Sequence, residues 1–136
     1  MPTPQKVSQL EQVDLRTAEA RKSLAKTVTK LFELWGLNTQ EQAALLGLSE
    51  ENRSTISRYR KGAPLADNRD ILDRVGHLLD IHKSLRIIFP HNRDLVYRWM
   101  VTRNRKFEAR PVDIVRERGF EGLISLRRYL DFERGM

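Results

Sequence analysis

The sequence predicts an all-α protein made of two small helical units, residues 14–66 and 67–136. Three observations carry this. Apolar residues recur at three- and four-residue steps along most of the 136 residues, the spacing of one buried helix face. No stretch alternates apolar and polar residues over a strand's length, and there is no Asn-Gly or Asp-Gly hairpin signal. Glycines at 36, 47, 62 and 119 fall where apolar periodicity stops, as helix ends do.

The elements follow in order. Residues 1–12 are polar and expected to fray, with Ser8 and Glu11 at capping-box spacing. A long helix is expected from about Asp14, with Leu24, Val28, Leu31 and Trp35 as its buried stripe and Gly36 as its stop. A second helix starts at Thr39, which stands three residues before Gln42 as in a capping box; Ala43, Leu46 and Leu48 are its apolar residues and Gly47 breaks it. A third begins near Asn52 or Arg53 and ends at Gly62, with Pro64 beyond. A fourth runs from Asp67, with Ile71, Val75, Leu78, His82 and Leu85 on one face, to the Phe89-Pro90 break, and joins the two units. Residues 92–102 are helical, with Leu95, Val96, Trp99 and Met100 inward. Residues 103–110 form an irregular basic connection. Pro111 opens a helix that Gly119 closes, and a last helix runs from Gly122 to about Phe132 with Leu123, Leu126 and Leu130 inward.

Composition narrows the function. Lys and Arg number 25 against 18 Asp and Glu, a net charge of +7, which suits a polyanionic partner. There is no cysteine, so disulfides and thiolate chemistry are excluded, and a reducing, cytoplasmic setting is expected. No apolar run approaches the ~18–20 residues of a bilayer span, and the opening Met1–Lys6 lacks the apolar core of a signal peptide. The histidines, at 77, 82 and 91, are not spaced as a metal pair, and neither a phosphate-binding glycine loop nor a nucleophile elbow is present. The sequence therefore predicts no enzyme, no metal site and no cofactor.

Residues 38–62 have the pattern of a helix-turn-helix. Two helices that cross closely want a small residue in the first, a glycine able to take a positive φ in the turn, and an inward apolar pair in the second. Ala43, Gly47 with Leu48, and Ile56 with Tyr59 supply these. The outward positions of the second helix are then Asn52, Arg53, Ser54, Thr55, Ser57, Arg58, Arg60 and Lys61, with no acid from Asn52 to Gly62. These are the expected DNA-binding residues. Arg53 or Arg58 suits guanine and Asn52 suits adenine; the short hydroxyl residues allow close approach, and Arg60 and Lys61 suit phosphates. A solvated basic helix face is the plainer alternative.

The stretch Gln40-Glu41-Gln42-Ala43-Ala44-Leu45-Leu46-Gly47-Leu48-Ser49 with Ser54-Thr55-Ile56-Ser57-Arg58-Tyr59 resembles the Xre-like helix-turn-helix of bacterial repressors. Glu50-Glu51-Asn52 look inserted relative to it, which predicts a longer turn whose acids would repel phosphate if they faced DNA, and Gln42 stands where an apolar residue is common. From Leu85 the chain resembles the C-terminal domain of Xre/MbcA/ParS-type antitoxins, through Leu85-Arg86-Ile87-Ile88-Phe89-Pro90, Trp99, Asn104, Phe107, Pro111, Val112-Asp113-Ile114-Val115, Gly119, Leu123 and Arg128-Tyr129-Leu130-Asp131. Arg103 replaces a usual proline, and Glu108-Ala109 stand where glycines are common.

The resemblance implies a toxin-binding C-terminal domain, and an antitoxin of a type II toxin–antitoxin pair. The usual partner is a RES-domain toxin that destroys NAD, whose active site the antitoxin covers; the complex represses its own promoter. The expected toxin-binding residues are Arg103, Asn104, Arg105, Lys106 and Phe107 in the basic connection, with Phe107 as an exposed anchor, and Arg127, Arg128 and Arg134 near the C-terminus. A homodimer is expected, because paired half-sites need two recognition helices about one DNA turn apart. The alternatives are a free-standing repressor without a toxin, and an interaction module that no longer binds DNA.

Overall fold

The structure, a computed structural model, describes residues 14–135; the Ser8–Glu11 capping box lies outside them. Among these residues the order is α1 (Ala18–Leu34), α2 (Thr39–Leu45), α3 (Arg53–Arg60), α4 (Arg69–Ile88), α5 (Arg93–Arg98), a 3₁₀ turn (Trp99–Val101), α6 (Pro111–Arg118) and α7 (Phe120–Gly135), with no strand. The all-α class is as the periodicity predicts.

Side-chain caps set the starts. Thr17 accepts the Ala20 N–H at 3.1 Å, so α1 begins at Ala18 and not at Asp14. For α2 the cap is Asn38, one residue before the expected Thr39. Asn38 Oδ1 accepts the Glu41 N–H at 2.8 Å, and Glu41 Oε1 accepts the Asn38 N–H at 2.9 Å, a complete capping box. Asn52 and Asn68 cap α3 and α4 with their side-chain oxygens alone, without the reciprocal bond. Three successive helices also end alike. The N–H groups of Leu37, Leu48 and Ala63 reach back to the carbonyls of Phe32, Ala43 and Arg58 at 3.1, 2.9 and 2.9 Å, each past a glycine of positive φ.

One apolar core runs through both halves. Phe32 of α1 and Trp35, just past its end, share this core with Ile56 of α3, Leu45 and Leu46 at the end of α2, and Val75, Leu78, Ile81 and Leu85 of α4. Burying a side chain of this size contributes roughly 1.5–3 kcal/mol. The far side of α4 receives Leu123, Leu126 and Leu130 of α7, so α4 serves both halves. Gly122 lets α7 lie against α6: a Cβ there would stand 2.5 Å from the Ile114 carbonyl oxygen.

Three expectations, two about the core and one about a connection, are corrected. Leu95 is 45% exposed, and Val96 and Met100 carry the inward face of that segment. His82 is half-buried beside Ile81, which takes the core position, and its Nε2 pairs with Tyr97 Oη at 3.2 Å. Residues 103–110 are not irregular. The Asn104 N–H donates to the Ala109 carbonyl at 2.9 Å, the Glu108 N–H to the Asn104 carbonyl at 2.7 Å, and the Lys106 N–H to Asn104 Oδ1 at 2.8 Å. Glu108 takes φ +56° to close this turn.

Candidate functional site

The second helix of the α2–α3 pair is built to present one face outward. Ile56 and Tyr59 are buried against α1 and α2, and Tyr59 Oη accepts the Ala66 N–H at 3.2 Å. That fixes the rotation of α3 and leaves Arg53, Ser54, Arg58, Arg60 and Lys61 exposed, with Thr55 and Ser57 half-buried beside them. Among the described residues no acid lies within ion-pair distance of Arg53, Arg58, Arg60 or Lys61. Arg58 Nη2 donates to Thr55 Oγ1 at 3.1 Å, which holds that guanidinium against its own helix. Asn38, Thr39, Gln40 and Arg53 line a shallow polar hollow where the starts of α2 and α3 meet.

Asn52 differs from its expected use. Its Oδ1 accepts the Thr55 N–H at 3.3 Å and lies 3.5 Å from Ser54 Oγ, so its side chain caps α3.

The longer turn folds compactly. Ser49 Oγ accepts the Glu51 N–H at 3.3 Å and the Ser49 carbonyl accepts the Asn52 N–H at 2.9 Å. Gly47 has φ +74°, and a Cβ there would stand 2.6 Å from Arg74 Nε. Arg74 is pinned in turn: Nε donates to Asp70 Oδ2 at 3.0 Å, and the guanidinium lies 5.4 Å from the Phe120 ring centroid of α7. Gln42, in its unusual polar position, is buried and donates from Nε2 to the Leu37 carbonyl at 3.0 Å, which accommodates it.

Glu50 does not project alone. Arg116 of α6 grips it with two bonds, Nη2 to Oε1 at 2.8 Å and Nε to Oε2 at 3.1 Å. This grip holds the Glu50 carboxyl below its ordinary pKa. Beside it, Glu41, whose side chain is only 5% exposed, receives Arg110 Nη2 at 2.9 Å. Arg110 also holds Asp113 in a fork at 2.9 and 3.0 Å, which lowers the Asp113 pKa and raises that of Arg110. Sequence reasoning missed this cluster. Glu41 is 69 residues from Arg110, and no local spacing signals a partner so distant.

In the second half, Arg103, Arg105 and Lys106 are exposed on the turn, while Asn104 is half-buried and serves as its backbone brace. Phe107 is not a free anchor. It packs edge-on against Tyr129 at 5.1 Å and Trp99 at 6.4 Å, and Trp99 stacks with Tyr129 at 6.5 Å. Near the C-terminus, Arg127 Nε lies 3.1 Å from Asp80 and Nη1 2.6 Å from His77 Nδ1, and Arg134 Nη1 lies 3.8 Å from Asp80 and 3.3 Å from Ser84 Oγ. Both therefore tie α7 to α4. Arg128 and Phe132 face outward, Phe132 64% exposed.

The fold and these surfaces define a helix-turn-helix protein with an appended helical unit. Family models place both parts. The Antitoxin Xre-like helix-turn-helix domain matches residues 14–80, and the Antitoxin Xre/MbcA/ParS C-terminal toxin-binding domain matches residues 84–135. The chain belongs to the Xre/MbcA/ParS antitoxin family. An uncharacterized protein of Sinorhizobium fredii, y4oB, is 29% identical over 107 residues, 78% of this chain and 80% of that protein. The two family matches meet inside α4. No described helix is long and apolar enough to cross a membrane.

Proposed function

We propose that this protein acts in the cytoplasm as an antitoxin that neutralises a cognate toxin through its C-terminal half and represses its own operon through α3. The carrying observation is the acid-free cationic face of α3, held outward by buried Ile56 and Tyr59, on the same chain as a toxin-binding domain. Arg53 and Arg58 read base edges, Ser54, Thr55 and Ser57 permit close approach, and Arg60 and Lys61 meet phosphates. Asn52 contributes by capping. The protein works as a homodimer, so that two α3 helices reach half-sites about one DNA turn apart.

We assign the toxin as a RES-domain enzyme, on the resemblance of the C-terminal half, with its contacts on Arg103, Arg105 and Lys106 of the basic turn and on the outward face of α7 at Arg128. Asn104, Phe107, Arg127 and Arg134 support this surface from behind. The division of labour falls near α4, with residues 14–66 serving DNA and 67–136 serving the toxin.

Co-expression with the neighbouring gene tests the antitoxin role. The neighbour's product is expected to arrest growth alone, to be harmless with this protein, and to co-purify with it. A harmless neighbour that never co-purifies refutes the pairing. NAD depletion during the arrest tests the RES assignment separately.

A further inference from the structure

We propose that Arg116, which belongs to the toxin-binding half, is a positioning residue of the DNA-reading head: it masks the charge of Glu50 in the helix-turn-helix turn, so that the turn approaches DNA with one of its two carboxylates neutralised. The proposal rests on the DNA-binding role of α3.

Glu50 stands three residues ahead of Arg53, the first residue of α3. The N-terminal end of a recognition helix is the part that enters the major groove, so a carboxylate in the preceding turn lies close to phosphates. Within a Debye length of about 8 Å, that carboxylate repels them. The turn keeps two acids, Glu50 and Glu51, even though Asn52–Gly62 contains none, and among the described residues only Glu50 is ion-paired. For Glu50 the structure resolves the conflict through a partner 66 residues away. Both carboxylate oxygens of Glu50 are taken by one guanidinium, Nη2 at 2.8 Å and Nε at 3.1 Å. A two-bond guanidinium–carboxylate fork fixes direction as well as distance. Arg116 is itself aimed by Asp113, one turn earlier on α6, whose Oδ1 lies 3.4 Å from Arg116 Nη1. Asp113 is in turn held by Arg110, which reaches buried Glu41 at the start of α2. The mask is thus attached to the reading head at two points, and the operator-facing charge of the first half is completed by the second.

The test uses the full chain and four variants: Arg116→Ala, Glu50→Gln, the double variant, and Arg118→Ala as a control. Arg118→Ala removes the same charge from the same helix, where Arg118 pairs with Glu121 and, among the described residues, with no acid of the first half. The probe is a labelled DNA duplex of about 40 base pairs from immediately upstream of the coding sequence, long enough for two half-sites, beside a scrambled duplex of equal length. Arg116→Ala is expected to weaken binding of both duplexes about three- to tenfold more than Arg118→Ala does. Glu50→Gln in the Arg116→Ala background is expected to restore most of that affinity, since it removes the bared charge. Thermal melts show whether each variant is folded, and the rescue cannot come from a re-formed ion pair because the fork is absent in the double variant.

Two results overturn the proposal. In the first, Arg116→Ala behaves as Arg118→Ala. In the second, Arg116→Ala weakens binding but Glu50→Gln does not rescue it, which makes Arg116 a direct ligand of phosphate. Failure of the unaltered protein to bind either duplex is a different result, and it refutes the DNA-binding role itself.

Discussion

Gly47 and Glu108 both take positive φ, and the structure treats them differently. At Gly47 the left-handed backbone closes α2, and the space beside it is filled by the pinned Arg74 guanidinium. Gly47→Ala combines backbone strain with a collision against the Arg74 guanidinium, which would have to leave its bond to Asp70. It is expected to cost on the order of 2 kcal/mol or more, read as a lowered urea midpoint. Glu108 adopts the same strained conformation without needing its side chain, which is exposed. Glu108→Gly is expected to raise stability by up to about 1 kcal/mol, after the entropy that glycine adds to the unfolded chain. An unchanged or lower melting temperature refutes this. On α3, Arg58→Ala and Lys61→Ala are each expected to weaken DNA binding, and to reduce the log–log salt slope by about 0.9 for each phosphate that the variant no longer neutralises. Unchanged binding in both removes α3 from the interface.

At the scale of elements, α7 has two faces with separate duties. Leu123, Leu126 and Leu130 are buried, and Arg127 and Arg134 bind α4, so truncating the chain before Leu130 would damage the core along with any toxin-binding surface. Arg128→Ala with Phe132→Ala touches only the outer face. The pair is expected to weaken toxin co-purification about tenfold or more, if Phe132 is a partly buried anchor in the complex, while the melting temperature stays within a few degrees. Undiminished co-purification excludes the outer face of α7 from the toxin interface. The α6–α2 junction depends on Arg110 in the opposite sense. Arg110→Ala leaves Glu41 buried without its main partner and is expected to destabilise the fold by roughly 2–3 kcal/mol.

Across the whole molecule, the two halves share one core and a bridge of charge, and acid acts on them at two levels. His77, between Phe120 and Arg127, has its pKa lowered first by burial and then by Arg127, only partly opposed by Asp73, Asp80 and Asp131. A base whose folded pKa lies below its ordinary 6.5 binds its proton more readily when unfolded. Stability is therefore full above 6.5 and declines as pH falls from there through the folded value. Glu50 and Asp113, with pKa values lowered by their arginine partners, add a second decline beginning nearer their ordinary 4.5 and 3.8. Melting temperatures between about pH 7.5 and 5.5 are expected to fall for the parent and to fall less steeply in His77→Gln, where His82, its pKa also lowered by burial and then by Arg86, still titrates. An equal fall in both removes His77 as the cause.

Helical class, helix order and the inward pair of α3 depend on short-range periodicity, and the sequence by itself determined them. Ala43, Gly47, Ile56 and Tyr59 lie within one local motif, and each occupies its expected place. The same holds for the outward basic face of α3, because fixing the buried side of a helix fixes the other side too. Neighbouring cap candidates were less legible: Asn38 and Thr39 both suit an N-cap, and the choice fell to Glu41, whose own orientation is set by Arg110 from the other half. Only the tertiary structure decided which charges are free. Arg127, Arg134, Glu50 and Glu41 look like surface residues in sequence, yet each meets a partner at least 50 residues away. Phe107 likewise became a brace and not an anchor once Trp99 and Tyr129 closed around it. The physical reason is range. Helix patterning is written over three or four residues, whereas pairing of charges and rings is settled by which surfaces the packed core brings together.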